Sequence, residues 1–236
     1  MNKFITAIKN LDLVSVKELL EKDPQWIQWA EKDGKNALHF LCAVPVSNST
    51  IKSKTSLAIL KLLLKKGIDI NSVHRIPEKN GFFPGTPLWY AYTRGRNEKL
   101  FSYLLKIGAE PNHCMFAIAW YDDAKSASLF KKYGATTVDL EGKDTPFFAA
   151  FHWKKFNMTE WFLKNGADVN FADSKGNTAL FYAVKRKWEP DWFKLLLKFE
   201  ADIHKENKEG VSPKKLAEMN KQRKVLSMFD QYSIYK

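Results

Sequence analysis

The protein has 236 residues, of which 45% are hydrophobic and 27% charged, a balance that is typical of folded globular chains and excludes a disordered one. Its apolar runs are interrupted by charge well short of the roughly 18 residues of a membrane span, and its amphipathic first residues lack a signal peptide's uninterrupted apolar core. Two cysteines cannot form a disulfide framework, so we expect a reducing, cytoplasmic location. The net charge of +12 favours partners that present an acidic face or an anionic polymer.

A turn followed by a helix start recurs along the chain, after an amphipathic first segment that predicts a helix pair. The recurring starts are "GKNALHFL" (34–41), "GTPLWYA" (85–91), "DTPFFAA" (144–150), "TALFYA" (178–183) and "GVSPKKLA" (210–217). From Thr145 to Thr178 is 33 residues, and from Thr178 to Ser212 is 34. A pattern that returns at this period predicts a repeat architecture.

The end of each repeat is also recognisable, because apolar residues and Lys precede a Gly. The phrases are "LLLKKGIDIN" (62–71), "YLLKIGAEPN" (103–112), "LFKKYGATTV" (129–138), "WFLKNGADVN" (161–170) and "LLLKFEADIH" (195–204), the last with Glu in place of Gly. Lysines favour the negative end of a helix dipole, and Gly takes a left-handed conformation at little steric cost. We therefore predict a helix end at each phrase and, at Thr178, a side-chain cap for the next helix.

The two phrases together resemble the ankyrin repeat family, whose unit starts with T-P-L-H-x-A and ends with L-L-x-x-G-A-D-x-N. The resemblance implies an all-α ankyrin-repeat solenoid of about six helix-turn-helix repeats with short β-turn fingers. It implies a single domain, 1–236, with an N-terminal capping helix pair (1–33), internal repeats (34–205) and a C-terminal capping repeat (206–236). Residues 113–139 form a short, degenerate repeat that lacks the Thr-Pro start.

Two segments exceed the repeat length. "HRIPEKNGFFPG" (74–85) is an elongated turn, too rich in Pro and Gly for a helix, and carries Phe82 and Phe83. "AVPVSNSTIKSK" (43–54) separates the helices of the first clear repeat. Since loops that outgrow their repeat often bind partners, we expect Phe82 or Phe83 either to pin the turn to the array or to contact a partner.

The resemblance also indicates which positions face the concave groove of the array. These positions carry large aromatic rings and cations: Phe40, Tyr90, Arg94, Phe116, Trp120, His152, Trp153, Tyr182, Lys185 and Arg186. Exposed aromatic and Arg side chains are characteristic of binding hot spots, so we predict a partner-binding surface here. The alternative is that several of these rings pack on adjacent helices.

The sequence has no catalytic motif, and we expect neither an enzyme nor a cofactor. His39 and Cys42 give one H-x-x-C, but no second ligand pair follows, so we expect no metal site. The resemblance implies a non-catalytic protein-protein interaction module, monomeric when unbound, such as a bacterial immunity or inhibitor protein, or an effector delivered to a host cytosol. The alternative is a basic adaptor for nucleic acid or an anionic membrane surface, which a steep salt dependence of binding would reveal.

Overall fold

A computed structural model describes residues 2–46, 49–136 and 145–234 of the protein. Backbone contacts divide the chain into two compact units. The first unit is Met1–Ala117 with Ser128–Ala135, and the second is Ile118–Ala127 with Thr136–Lys236. The end of the expected degenerate repeat and the turn before Thr145 lie outside the described residues.

The described part of the first unit contains six complete helices and one β-hairpin. They are α1 (Lys3–Lys9), α2 (Leu13–Lys22), α3 (Ala37–Cys42), α4 (Thr50–Lys65), β1 (His74–Glu78), β2 (Gly81–Gly85), α5 (Pro87–Thr93) and α6 (Glu98–Lys106), with short 3-10 helices at Pro24–Gln28 and Asn112–Cys114. Two further helices, α7 (Met115–Trp120) and α8 (Ala124–Lys132), contribute residues to both units. Helix pairs joined by tight turns are therefore the building block.

The described part of the second unit continues with three helix pairs. They are α9 (Pro146–His152) with α10 (Phe156–Lys164), α11 (Ala179–Lys185) with α12 (Pro190–Lys198), and α13 (Pro213–Met219) with α14 (Arg223–Ile234). Its core is aromatic, since Phe147, Phe148, Phe151, Phe162, Phe193 and Phe229 are almost fully buried.

The predicted helix starts are confirmed by the caps. The Thr178 hydroxyl accepts a hydrogen bond from the Phe181 amide at 3.2 Å, and Thr145 does the same for Phe148 at 3.1 Å. Thr86 and Ser212 cap α5 and α13 in the same way. One side-chain oxygen thus satisfies an otherwise unpaired amide at each start.

The predicted helix ends are confirmed as well. Gly67, Gly108, Gly134 and Gly166 all have φ near +90°, and Glu200, which replaces Gly in the last such phrase, has φ +66°. A side chain in this conformation is strained by about 1 kcal/mol or more.

A second set of left-handed residues marks the turn between the two helices of a pair. Its members are Leu11, Arg96, Asp122, Lys154, Lys187 and Lys221, with φ between +48° and +55°. The chain thus uses Gly where a repeat ends but a side chain, usually a cation, where its two helices meet.

The expected elongated turn is an antiparallel β-hairpin. Its register pairs His74 with Gly85 and Ile76 with Phe83, and the chain reverses at Lys79 and Asn80. A Cβ on Gly85 would lie 2.8 Å from the end of the Ile76 side chain and 3.3 Å from the Tyr90 ring, so glycine lets both side chains pack closely at the base of the hairpin.

Candidate functional site

Two tryptophans from consecutive repeats form an exposed pair in the second unit. Trp120 ends α7 and Trp153 follows α9, so both lie where the first helix of a repeat turns into the second. Their ring centroids are 5.1 Å apart in a T-shaped contact, and the residues are 52% and 37% exposed. The Lys155 ammonium lies 5.1 Å from the centre of the Trp120 ring. Apolar rings beside a cation are therefore open to a partner.

A second cluster joins His152, Tyr182 and Arg186 in the same unit. The Arg186 guanidinium lies 4.9 Å from the centre of the Tyr182 ring and donates to Nδ1 of His152 at 3.1 Å. The Tyr182 hydroxyl donates to the Asp173 carboxylate at 2.7 Å, which fixes the ring. Burial and the hydrogen bond to Asp173 both raise the pKa of the Tyr182 hydroxyl. Arg186 itself is exposed, so its charge can pair with a carboxylate of a partner.

Asp122 lies in the turn that follows Trp120 and joins α7 to α8, and its hydrogen bonds hold this turn in place. Its carboxylate accepts from the Met158 amide at 2.8 Å and from the Asn157 side chain at 2.9 Å. Helix α10 has no cap from its own N-cap residue, Lys155, so a residue of the preceding repeat supplies one. The hydrogen bonds therefore tie the Trp120 turn to the start of α10. We call Trp120, Trp153, Lys155, His152, Tyr182 and Arg186 together the aromatic-basic surface.

Lys155 is the member that sequence reasoning missed. It lies two residues beyond the predicted position Trp153, and its ring partner is 35 residues away. The sequence offered one signal, which is that Trp120 and Trp153 lie one repeat apart. This spacing could have indicated that a cation next to Trp153 reaches the Trp120 ring.

Two aromatic residues that we expected to be exposed, Phe40 and Tyr90 of the first unit, are buried. Tyr90 is 6% exposed, and its hydroxyl pairs with Nδ1 of His74 at 2.6 Å, while Nε2 of His74 pairs with Asp33 at 2.8 Å. Phe40 is 7% exposed because the ammonium groups of Lys9 and Lys35 each lie 4.6 Å from its ring centre. For these two positions the expected exposure is wrong, and packing on neighbouring elements takes its place.

The remaining predicted groove positions are exposed. In the first unit Phe116 is 38% exposed, and Arg94 is exposed with its guanidinium 6.0 Å from the centre of the Trp89 ring. Lys185 is exposed in the second unit. Their role in binding stays a prediction.

The two phenylalanines of the hairpin differ in burial and in their contacts. Phe83 is half-buried, with its ring centre 5.1 Å from that of Trp89 and 6.3 Å from that of His113. Phe82 is 50% exposed, and the Arg75 guanidinium lies 5.3 Å from its ring centre. Phe83 thus holds the hairpin to α5, whereas Phe82 is available to a partner.

His39 and the two cysteines are structural. The His39 ring donates from Nε2 to the Gly85 carbonyl at 3.0 Å, and Nδ1 accepts from the Asn36 amide at 3.2 Å. Burial lowers the pKa of His39 to about 4. Cys42 and Cys114 are fully buried with free thiols, and burial raises the pKa of both. Neither ring nitrogen of His39 is available for a metal.

The sequence is similar to that of other repeat proteins. A family model for ankyrin repeats matches in three copies, over residues 114–207 and 146–228. The ankyrin repeat protein FPV244 of Fowlpox virus (strain NVSL) is 29% identical over 133 residues, which are 55% of this chain and 19% of that protein. Phosphocholine transferase AnkX of Legionella pneumophila is 27% identical over 170 residues, 67% of this chain and 17% of that protein. The chain therefore spans less than a fifth of these curated relatives.

Solved structures show the same fold. The ankyrin repeat domain of human ASB11 superposes with a TM-score of 0.66 at 19% identity, covering 92% of this chain and 91% of that one. The ankyrin repeat domain of Bcl-3, a member of the IkappaB protein family, gives a TM-score of 0.72 at 19% identity and 98% coverage of both chains. Within the described residues, no helix combines the length and the hydropathy needed to cross a membrane.

Proposed function

Since the chain belongs to the ankyrin repeat family, we propose that it is a non-catalytic protein that binds another protein through its aromatic-basic surface. Ankyrin repeats are protein-interaction modules, and the expected all-α repeat fold is confirmed. The transferase relative does not bring its activity to this chain, because the match covers only 17% of that protein.

The observation that carries the proposal is the exposed Trp120 and Trp153 pair. Large apolar rings that remain half exposed in the unbound protein lose their unfavourable hydration when a partner covers them. Lys155 lies beside the Trp120 ring and Arg186 beside the Tyr182 ring, so the partner that fits presents apolar groups together with carboxylates. The proposed binding surface also includes the other exposed groove positions, Arg94, Phe116 and Lys185, and the hairpin residue Phe82.

The proposed biological role is inhibition or recruitment of one protein, as an immunity protein or a delivered effector acting in the cytoplasm of the producing or host cell. The Legionella pneumophila relative supports a bacterial setting, whereas the Fowlpox virus relative is viral. The unbound chain is proposed to be a monomer.

The test is a pull-down from the native source, followed by calorimetry with the protein that is captured. Trp153→Ala should weaken binding by roughly 2 kcal/mol or more, since central aromatic residues dominate interface energies. Lys164→Ala is the matched control, because this exposed lysine pairs with Glu160 of its own helix at 2.9 Å. It should change affinity by less than about 0.5 kcal/mol.

Normal binding by Trp120→Ala and Trp153→Ala would contradict the proposal. It would favour the hairpin, or the convex face opposite the predicted groove, as the binding surface.

The net charge of +12 supports one alternative, an adaptor for an anionic polymer or membrane surface. Polymer binding through many phosphate contacts should weaken about a thousandfold or more between 50 and 200 mM salt. An interface that depends on the tryptophans should weaken far less.

A further inference from the structure

A second potential binding site lies in the second unit, away from the aromatic-basic surface. A cavity of about 450 Å³ opens between the turn that joins α11 to α12 and the turn that joins α13 to α14. This volume is within the range of pockets that hold a ligand or an anchoring side chain. Its apolar wall includes Trp188, Phe193 and Val225, which are at most 8% exposed.

The rim of the cavity is strongly basic. Lys187, Lys221, Arg223 and Lys224 line it, and the described lining residues include no Asp or Glu. Three carboxylates close to these residues in the sequence are already paired: Glu189 with Lys154 at 3.4 Å, Asp191 with Lys194 at 3.2 Å and Asp230 with Lys214 at 3.5 Å. A concave apolar surface with charges of one sign at its edge attracts a ligand of opposite sign.

Two of the rim lysines are held in a strained backbone conformation. Lys187 has φ +52° and Lys221 has φ +51°, in equivalent turns of consecutive repeats. Glycine would adopt this conformation without strain. The equivalent turns of other repeats also carry a side chain, such as Arg96 and Lys154. The strain is therefore shared by these turns, and Lys187 and Lys221 are distinguished by the fact that both line the cavity.

We propose that this cavity binds an acidic peptide segment that carries one large apolar side chain. The apolar side chain enters the cavity against Trp188 and Phe193, while flanking carboxylates pair with Lys187 and Lys221. The inference rests on the proposed function only in taking a protein as the partner. It adds a separate docking site, with a stated chemistry, to the aromatic-basic surface.

The recessed position of the apolar residues argues for a peptide over other anionic partners. Membrane binding requires apolar side chains that project from the surface into lipid. Binding of single-stranded nucleic acid requires exposed aromatic faces on which bases stack. Trp188 is 7% exposed and forms the wall of the cavity, so the apolar group has to come from the partner.

The probe is the labelled acidic peptide DEWED, whose binding to the full chain is measured by fluorescence anisotropy. Two control peptides separate the requirements: DESED lacks the apolar anchor, and KRWRK reverses the charge. DEWED should bind at least tenfold more tightly than either control. Equal binding of DEWED and DESED, or no binding of DEWED, would overturn the proposal.

The chain offers closely matched variants. The double substitution Lys187→Gly and Lys221→Gly removes two charges and also relieves backbone strain, so the fold should be retained and DEWED affinity should fall at least tenfold. Arg96→Gly is the control, because Arg96 has the same left-handed conformation, φ +48°, belongs to the first unit and does not line the cavity. It should change affinity less than twofold. Met228→Glu, which places a carboxylate on the cavity wall, should weaken DEWED binding as well.

Further probes distinguish the partner class. Two competitors are tested, vesicles that contain phosphatidylserine and, separately, an oligothymidine. Neither should compete with DEWED at equal charge concentration. Competition by either would show that the site binds an anionic surface or polymer and not an acidic peptide. Trp153→Ala should bind DEWED normally, so a failure of this site and a failure of the aromatic-basic surface are separate results.

Discussion

His39 makes folding of the first unit sensitive to acid. Its pKa falls from an ordinary 6.5 to about 4 because the buried ring is desolvated. The folded pKa lies below the unfolded one, so the contribution to stability is complete above pH 6.5 and is lost as the pH falls towards 4. Between pH 7 and 5 we expect a loss of about 2 kcal/mol in the free energy of unfolding, measured by urea denaturation.

Two histidine variants test this assignment. His39→Gln should lower stability at pH 7, since the hydrogen bonds with the Gly85 carbonyl and the Asn36 amide are lost, but it should flatten the pH dependence between 7 and 5. His204→Gln, at an exposed position, should leave the pH dependence as it is. An unchanged slope in His39→Gln would contradict the prediction. A nuclear magnetic resonance titration of the ring should give a pKa near 4 directly.

The hairpin of β1 and β2 separates anchoring from recognition in adjacent residues. Phe83→Ser should lower the free energy of unfolding by about 1 to 2 kcal/mol, because its half-buried ring packs on Trp89. Phe82→Ser should change stability by less than about 0.5 kcal/mol, because the ring is half exposed. Thermal melting measures the first effect, and affinity for the captured partner measures the second.

The converse pattern would reverse the two roles. If Phe82→Ser destabilised the protein as strongly as Phe83→Ser, the exposed ring would be structural too. Unchanged partner affinity in Phe82→Ser would remove the hairpin tip from the proposed binding surface.

At the scale of the whole molecule, each repeat is stabilised by its neighbours. The last repeat covers α11 and α12 through the Phe193 and Phe229 rings, whose centres are 6.3 Å apart, and through a 2.9 Å hydrogen bond from Gln222 to the Val184 carbonyl. Deletion of residues 206–236 should therefore abolish hydrogen-exchange protection in α11 and α12. Helices α1 to α4 should keep their protection.

Mass spectrometry of the exchanged protein resolves the two segments. Global loss of protection would contradict the nearest-neighbour picture. Full protection of α11 and α12 after the deletion would show that the last repeat is dispensable for the fold.

Local features of this fold could be predicted from the sequence, and non-local ones could not. Thr178 and Gly166 act on backbone groups within a few residues, so the caps and helix ends follow from the residues themselves. The exposure of a ring depends on what covers it from elsewhere. Tyr90 is covered with the help of His74 from the hairpin, and Phe40 by Lys9 from the first helix, so neither burial could be read from the repeat pattern.

The two buried thiols report on local opening of the protein through the rate at which they are labelled. Cys42 and Cys114 are its only cysteines, and both belong to the first unit. Only a deprotonated, accessible thiol reacts with an aromatic disulfide reagent, so burial and the raised pKa make each sulfur inert until its surroundings open. The rate of labelling therefore times the opening of the first unit alone. A partner that docks on the second unit will lower the labelling rate of Cys42 and Cys114 only if the two units open together.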